Sequence, residues 1–462
     1  MLIRFRTSNF LSFDQEQELS MIAGSTKKKE NHIIEDNKLK LLKFSAIYGA
    51  NASGKSNLLK AMNLSKNIII AGIKSNLANL YCRIKNDNEN KISSFEYEIK
   101  LNNRFYAYGF DVMLSKNSIK AEWLYELDKN KNKEIPIFTR EINQDIQINN
   151  EYFDNNKGIL NRLEVYHSDM KSQDTVLFLT IMNKNKENLY RENPRNNIVI
   201  FKDIYNWFFN SLVVIFPQVG LDNTPFFSSE ESIEKINNLI SKFGTGISEC
   251  KVVKANMQEL QAAIPPEILK NMISTIENAY VNNKGKNNIQ QASIRLNREL
   301  YIIKKPSLNE LKVEKIVLKH KNNDSLYSFS EESDGTQRLF DLIEILMNKD
   351  SEKVYLIDEL DRCFHPELTY KFIERFLNMV NNNSQLIVTT HESRLLNFDL
   401  LRRDEIWFAN REKNGPTDLY SLEKYNERFD KKIDKAYLEG RYGGVPLFET
   451  LFPVGDVSDE NS

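Results

Sequence analysis

Cysteine is scarce in this sequence: only Cys82, Cys250 and Cys363 occur among 462 residues, far apart and with no CxxC pair. That excludes a disulfide framework and a cysteine-based zinc site, and it fits a reducing compartment. An excess of charge of one sign is lacking too. The 63 Lys and Arg residues are matched by 64 Asp and Glu, for a net charge of −1. No overall field recruits nucleic acid or an acidic membrane, so any such contact needs a local patch. Long hydrophobic runs are missing: the most apolar short run, residues 68–73, is far below the roughly 20 residues that span a bilayer. Residues 1–6 lead directly into a strand-like alternation, with neither a charged n-region nor an apolar h-region. This predicts a cytoplasmic protein with no membrane partner. Neither an internal repeat nor a sustained heptad array is present, which argues against a solenoid and a long coiled coil.

What is there is ordinary globular material, 41% hydrophobic and 27% charged, in a chain long enough for two to three lobes. Residues 1–25 alternate apolar and polar and read as two short strands. Leu41 to Tyr48 is an apolar strand broken at Gly49, and Leu58, Leu59, Met62 and Leu64 begin a helix. Residues 93–128 read as a β-meander, followed by Asn- and Lys-rich stretches at 128–160 and 183–197 that read as exposed loops. A helical segment is expected from about 230 to 282, broken at residues 244–246 and 265–266. Strands return at 299–320, and strands and helices alternate over 335–410.

Three short segments carry chemistry. Gly49-Ala50-Asn51-Ala52-Ser53-Gly54-Lys55-Ser56 is a complete G-x-x-x-x-G-K-S phosphate loop between an apolar strand and a helix. Its glycines let backbone N–H groups turn toward a β-phosphate. Lys55 then reaches the β- and γ-phosphates, and the Ser56 hydroxyl ligates Mg²⁺. Val354 to Ile357 is an apolar strand that ends in Asp358 and Glu359. Such acids sit in the crevice where parallel sheets bind ligands, Asp358 to hold the Mg²⁺ shell and Glu359 to polarise the attacking water. Leu386 to Thr390 is a third apolar strand, tipped by His391, 32 residues after Glu359. A neutral imidazole there can bond the γ-phosphate or the water.

Ser333-Asp334-Gly335-Thr336-Gln337 opens a helix, 17 residues ahead of Val354. Alone it equals an ordinary N-cap. Its place ahead of the acid-tipped strand suits a second anion site at a helix N-terminus, with Ser333, Gly335 and Gln337 as ligands. A chain that already has the 49–56 loop needs no second site for the same phosphates, so this one makes sense for the γ-phosphate of another copy. His365-Pro366, after Asp361, either marks a loop at the seam between copies or simply starts the next helix.

The order phosphate loop, SDGTQ, LIDE, TTH resembles the ABC-type ATPases of the SMC and RecF kind. Residues 9–13, 108–110, 122–124 and 436–446 narrow the likeness to the stand-alone ATPases of bacterial abortive-infection and restriction-linked operons, the group of RloA, AbiLi and the AriA subunit of PARIS phage defence. The resemblance covers most of the chain and is weakest over 128–300. It implies an α/β fold, an ABC-ATPase head whose mixed sheet carries the phosphate loop, with a helical and β insertion before the signature. The expected divisions are an N-terminal ATPase lobe at 1–128, the insertion at 129–300, a C-terminal ATPase lobe at 301–452 and a disordered acidic tail at 453–462. Implied partners are ATP and Mg²⁺, a second copy in an ATP-sandwich dimer within a homo-oligomer, a separately encoded TOPRIM-like nuclease effector, and a phage trigger protein. Only 71 residues follow His391, without a DxD element, so the chain itself is not expected to be the nuclease. The signature has Asp334 where relatives carry glycine. A RecF-like DNA-repair ATPase is the alternative, motivated by the local clusters Lys27-Lys28-Lys29 and Arg402-Arg403.

Overall fold

A computed structural model describes residues 1–36, 39–128, 133–217, 230–263, 266–282, 290–296, 298–307, 310–347, 352–380, 382–411, 415–425 and 433–443. The expected acidic tail at 453–462 lies outside the described residues.

The centre is a six-stranded sheet in the order 212–215, 354–357, 385–390, 44–48, 406–411, 417–421, parallel except for the last pair. Its inner strands are apolar along their length because both faces are covered. Ile47, Leu356, Ile387 and Ala409 face one core. Phe44, Ala46, Tyr355, Val388 and Phe408 face the other. Period-two alternation therefore distributes each strand between two cores.

The first core lies between this sheet and a seven-stranded antiparallel sheet, ordered 147–148, 133–141, 118–128, 104–113, 93–101, 2–8, 17–20. It is filled from the side by helix 55–71 and the short helices of 178–206. One face of the antiparallel sheet lines this core, and at one end of the other face Ile3 and Phe105 pack on Ile34 and Leu41. Phe95, Tyr97 and Ile99 point inward, while Glu96 and Glu98 meet Arg6 on the solvent side at 2.8 and 2.9 Å. Gly109 leaves room for the Trp123 indole, since a Cβ there would lie 2.5 Å from the ring.

The second core holds helices 334–347 and 366–377 against the other face of the parallel sheet. Beyond it lies a sheet ordered 247–254, 310–320, 299–307, 290–296, with 326–328 on its flank. Helix 266–282 closes a small third core against this sheet through Leu269, Ile276, Tyr301 and Ile303. Among the described residues no helix exceeds the 17 residues of 55–71 and 266–282, and no long coiled coil is present. None of those helices is long and apolar enough to cross a membrane.

The meander at 93–128 and the strands at 299–320 appear as expected. Two expectations need correction. The segment 230–282 is not helical throughout, because Ile247–Lys254 is a strand paired with 310–320. Its partner lies some sixty residues downstream, so no local pattern reveals it. Nor are the Asn-rich stretches all loop. Lys133–Glu141 extends the meander. Residues 157–168 form a helix capped by Asn156, with Ile159 and Leu163 spaced to bury one face. Glu187–Glu192 is a further short helix.

One buried charge ties the antiparallel sheet to the helices behind it. Glu122, 1% exposed, accepts from the N–H groups of Phe178 and Leu179 at 2.6 and 3.0 Å and from Tyr108 at 3.0 Å. Arg140 stands 3.6 Å away. Burial pushes this carboxyl up, and Arg140 and its hydrogen bonds oppose the shift. Glu122→Ala leaves two N–H groups without an acceptor, and Arg140, still held by the Val176, Met170 and Gln173 carbonyls, without its carboxylate. It should destabilise the fold by about 3 kcal/mol, read by denaturant unfolding. A loss under about 1 kcal/mol would show that the network carries little.

Candidate functional site

The carboxyl ends of the central strands converge on residues 49–56. Gly49 leaves strand 44–48 where a Cβ would lie 2.4 Å from the Ala409 carbonyl oxygen. At Gly54, φ is +101°, and a Cβ would meet Thr417 Oγ1 at 2.3 Å and Ser12 Oγ at 2.6 Å. Only glycine tolerates both the conformation and the contact. Thr417 Oγ1 donates to the Ser53 carbonyl at 2.8 Å, and Asn57 donates to Ser12 Oγ at 2.8 Å. The N-terminal segment and the last strand of the sheet thus grip the loop from outside.

Helix 55–71 starts at this loop. Its first N–H groups have no acceptor within the helix and form an anion site. Ser53 Oγ is buried in the loop without a hydrogen-bond partner. Lys55 is 5% exposed and folds back to donate to the Gly49 and Ala50 carbonyls at 2.8 and 2.9 Å. Burial lowers its pKa to about 8, against the pull of Asp358, Asp361 and Glu359. A buried cation held by two carbonyls and the His391 ring, beside an orphaned hydroxyl at a helix N-terminus, fits a polyphosphate.

Ser56 Oγ donates to Asp358 Oδ1 at 2.9 Å, joining helix 55–71 to the strand 354–357. Two oxygens this close at the loop mouth suit Mg²⁺, which draws its other ligands from water and phosphate oxygens. Thr389 Oγ1 donates to the same Asp358 oxygen at 2.6 Å. Glu359 follows in a left-handed conformation, φ +50°. Its partly exposed carboxylate stands 3.8 Å from Arg362. His391 lies with Nδ1 3.5 Å from Lys55 Nζ, and its backbone N–H donates to Asp361 at 3.2 Å. Burial, with Lys55 next, lowers the imidazole pKa.

The structure thus brings Gly49 to Ser56, Asp358, Glu359 and His391 together. The segment 333–337 stands apart from that cluster. Ser333 Oγ accepts from Thr336 N at 3.2 Å and caps helix 334–347. A Cβ on Gly335 would lie 2.6 Å from the Cys363 carbonyl oxygen. Gln337 turns inward, donating to the Phe329 and Glu332 carbonyls at 3.1 and 3.0 Å, while Arg298 pairs with Asp334. Ser333, Gly335 and Thr336 line a cavity of about 410 Å³ that also reaches Thr245, His365 and Lys371. His365 caps helix 366–377 through Glu367 N at 3.3 Å. Sequence reasoning missed Thr389 and Thr417. Thr389 sits in the TTH segment, whereas Thr417 carries no local signal at all.

The two basic clusters do meet, but Arg402 is 2% exposed and bonded to Asp404 at 2.5 and 2.9 Å. It holds the loop through the Thr26 and Lys28 carbonyls rather than facing solvent.

A phosphate loop, an acid-tipped strand and a histidine-tipped strand on one edge of a parallel sheet define a P-loop ATPase of ABC-like fold. The chain belongs to the family described as AAA domain, putative AbiEii toxin, Type IV TA system, which matches residues 44–397. Among solved structures it is similar to an SMC head bound to the C-winged helix domain of ScpA, at 14% identity and TM-score 0.42, covering 91% of this chain and 97% of that one. It is similar also to the SMC head domain from Thermotoga maritima, at 13% identity and TM-score 0.32, covering 91% and 98%. No curated protein matches the chain.

The Lys55 environment sets a pH dependence. Bound phosphates favour the ammonium and raise its pKa above the free value of about 8. Below that value binding needs no proton. Above it each binding event takes one up, and ATP affinity should fall by up to about tenfold per pH unit. Calorimetric titration between about pH 7 and 10 checks this, and Lys55→Arg should flatten the profile. An affinity constant across that range would contradict the assignment.

Proposed function

We propose that the chain binds ATP with Mg²⁺ at residues 49–56 and hydrolyses it in a site completed by a second copy. The observation that carries this reading is the Ser56–Asp358 contact of 2.9 Å at the mouth of the phosphate loop, with Glu359 next in the chain. Lys55 neutralises the β- and γ-phosphates, and Ser56 and Asp358 hold Mg²⁺, which offsets charge on the phosphate oxygens. Glu359 orients the water and takes its proton as the new oxygen–phosphorus bond forms. The bond to the bridging oxygen breaks, leaving ADP and phosphate. Lys55 against Nδ1 favours the His391 tautomer with its proton on Nε2, a donor for the γ-phosphate. Ser333 and Gly335, at a helix N-terminus away from this cluster, supply the opposing cap from the second copy. ATP then joins the two heads, and hydrolysis removes the γ-phosphate contact between them.

We infer further that this ATPase serves a bacterial anti-phage system as an oligomeric scaffold that holds a separately encoded effector, a TOPRIM-like nuclease, and releases it on a phage trigger. The AbiEii-type family match and the resemblance to abortive-infection ATPases support this reading. The alternative, a RecF-like DNA-repair ATPase, keeps the exposed Lys27 and Lys28 but loses Arg402, which is spent inside the fold.

Glu359→Gln removes the base and keeps every binding group. With ATP and Mg²⁺ it should elute as a stable dimer or higher oligomer by light scattering, with turnover lowered at least about a hundredfold. Wild-type turnover by this variant would refute the role of Glu359. Wild-type protein mixed with the product of the neighbouring gene should form one larger species, and two separate peaks would refute the scaffold.

A further inference from the structure

Glu359 has a backbone conformation, φ +50°, that side-chain-bearing residues rarely adopt. Something must hold it there, and the contacts that do so converge on one residue. Thr389 is 0% exposed, at the carboxyl end of the strand 385–390, beside the acid-tipped strand. Its Oγ1 accepts from Glu359 N at 2.8 Å and donates to Asp358 Oδ1 at 2.6 Å. Its backbone carbonyl accepts from Leu360 N at 3.0 Å. One threonine thus engages three consecutive residues, 358, 359 and 360, with its hydroxyl used both as donor and as acceptor.

The Asp358 oxygen it bonds is the one that also receives Ser56 Oγ at 2.9 Å. A carboxylate held by two hydroxyls on one oxygen has its rotation fixed. Two residues further on, the His391 N–H ties the same strand end to Asp361. Any shift of strand 385–390 therefore moves the Asp358–Glu359 turn along with the histidine.

We propose that Thr389 is the positioning residue for hydrolysis: its hydroxyl sets the direction of the Glu359 side chain and the rotation of the Asp358 carboxylate, without touching nucleotide. This rests on the reading of the site as an ATPase. The role belongs to the hydroxyl and not to side-chain bulk. Valine fills similar space but leaves the Glu359 N–H unpaired, whereas serine keeps both hydrogen bonds.

The test is steady-state ATPase kinetics and ATP binding on wild type, Thr389→Val and Thr389→Ser, with thermal unfolding alongside. Thr389→Val should lose about tenfold to a hundredfold in kcat while its ATP dissociation constant stays within about threefold of wild type. Its Mg²⁺ requirement should rise, and Thr389→Ser should recover most of the rate. Valine at a near wild-type rate overturns the proposal and leaves the ATPase reading standing. Equal losses of rate, affinity and thermal stability in both variants also overturn it, since a packing role gives that result. A wild-type protein that binds ATP but never turns it over removes the ATPase reading and this inference together.

Discussion

A single carboxylate oxygen joins three stretches of chain that are far apart in sequence. Asp358 Oδ1 accepts from Ser56 on the phosphate-loop helix and from Thr389 on the neighbouring strand. These bonds form only if strands 44–48, 385–390 and 354–357 lie side by side in register, which their pairing supplies. The register in turn depends on two cores, because each strand places alternate side chains on opposite faces of the sheet. Hydrophobic burial on both sides thus fixes the spacing of polar atoms at the sheet edge.

The loop also rests on the end of the described chain. Tyr437 and Tyr442 stack on Phe408 at 5.6 and 5.3 Å, and Tyr437 meets Tyr48, the residue before Gly49, at 6.1 Å. The segment 436–446, one of those that narrow the family likeness, therefore packs an aromatic layer beneath the phosphate loop. Its residues 444–446 lie outside the described residues. The cavity bounded by Ser333, Gly335 and Thr336 lies at the start of helix 334–347, which packs on this same face of the sheet.

The chemistry was more legible in the sequence than the architecture. Buried parallel strands are short apolar runs; the run 44–48 leads into the first glycine of the phosphate loop, and those at 354–357 and 385–390 lead into Asp358, Glu359 and His391. Strand 247–254 stayed hidden because its partner is distant and its flanks are helical. Strand 212–215 is four residues on a sheet edge, and nothing near it announces a pairing with 354–357. Thr389 and Thr417 went unmarked for a related reason. A threonine in a strand is an ordinary β-former, and only the fold shows what its hydroxyl meets. Gln337 shows the converse. Its place in a signature-like motif suggests a ligand contact, yet its amide bonds the chain's own carbonyls.

The central claim is that each ATP site is assembled from two copies, and subunit mixing tests it most directly. Lys55→Ala disables the phosphate loop, and Ser333→Arg disables the opposing cap. Each variant alone should be inactive. In a mixed dimer one site carries both defects and the other carries none, so the account predicts that combining the two inactive proteins restores turnover, to about a quarter of the wild-type rate for a random mixture. A mixture that stays as inactive as its components, while its subunits demonstrably exchange, would contradict it.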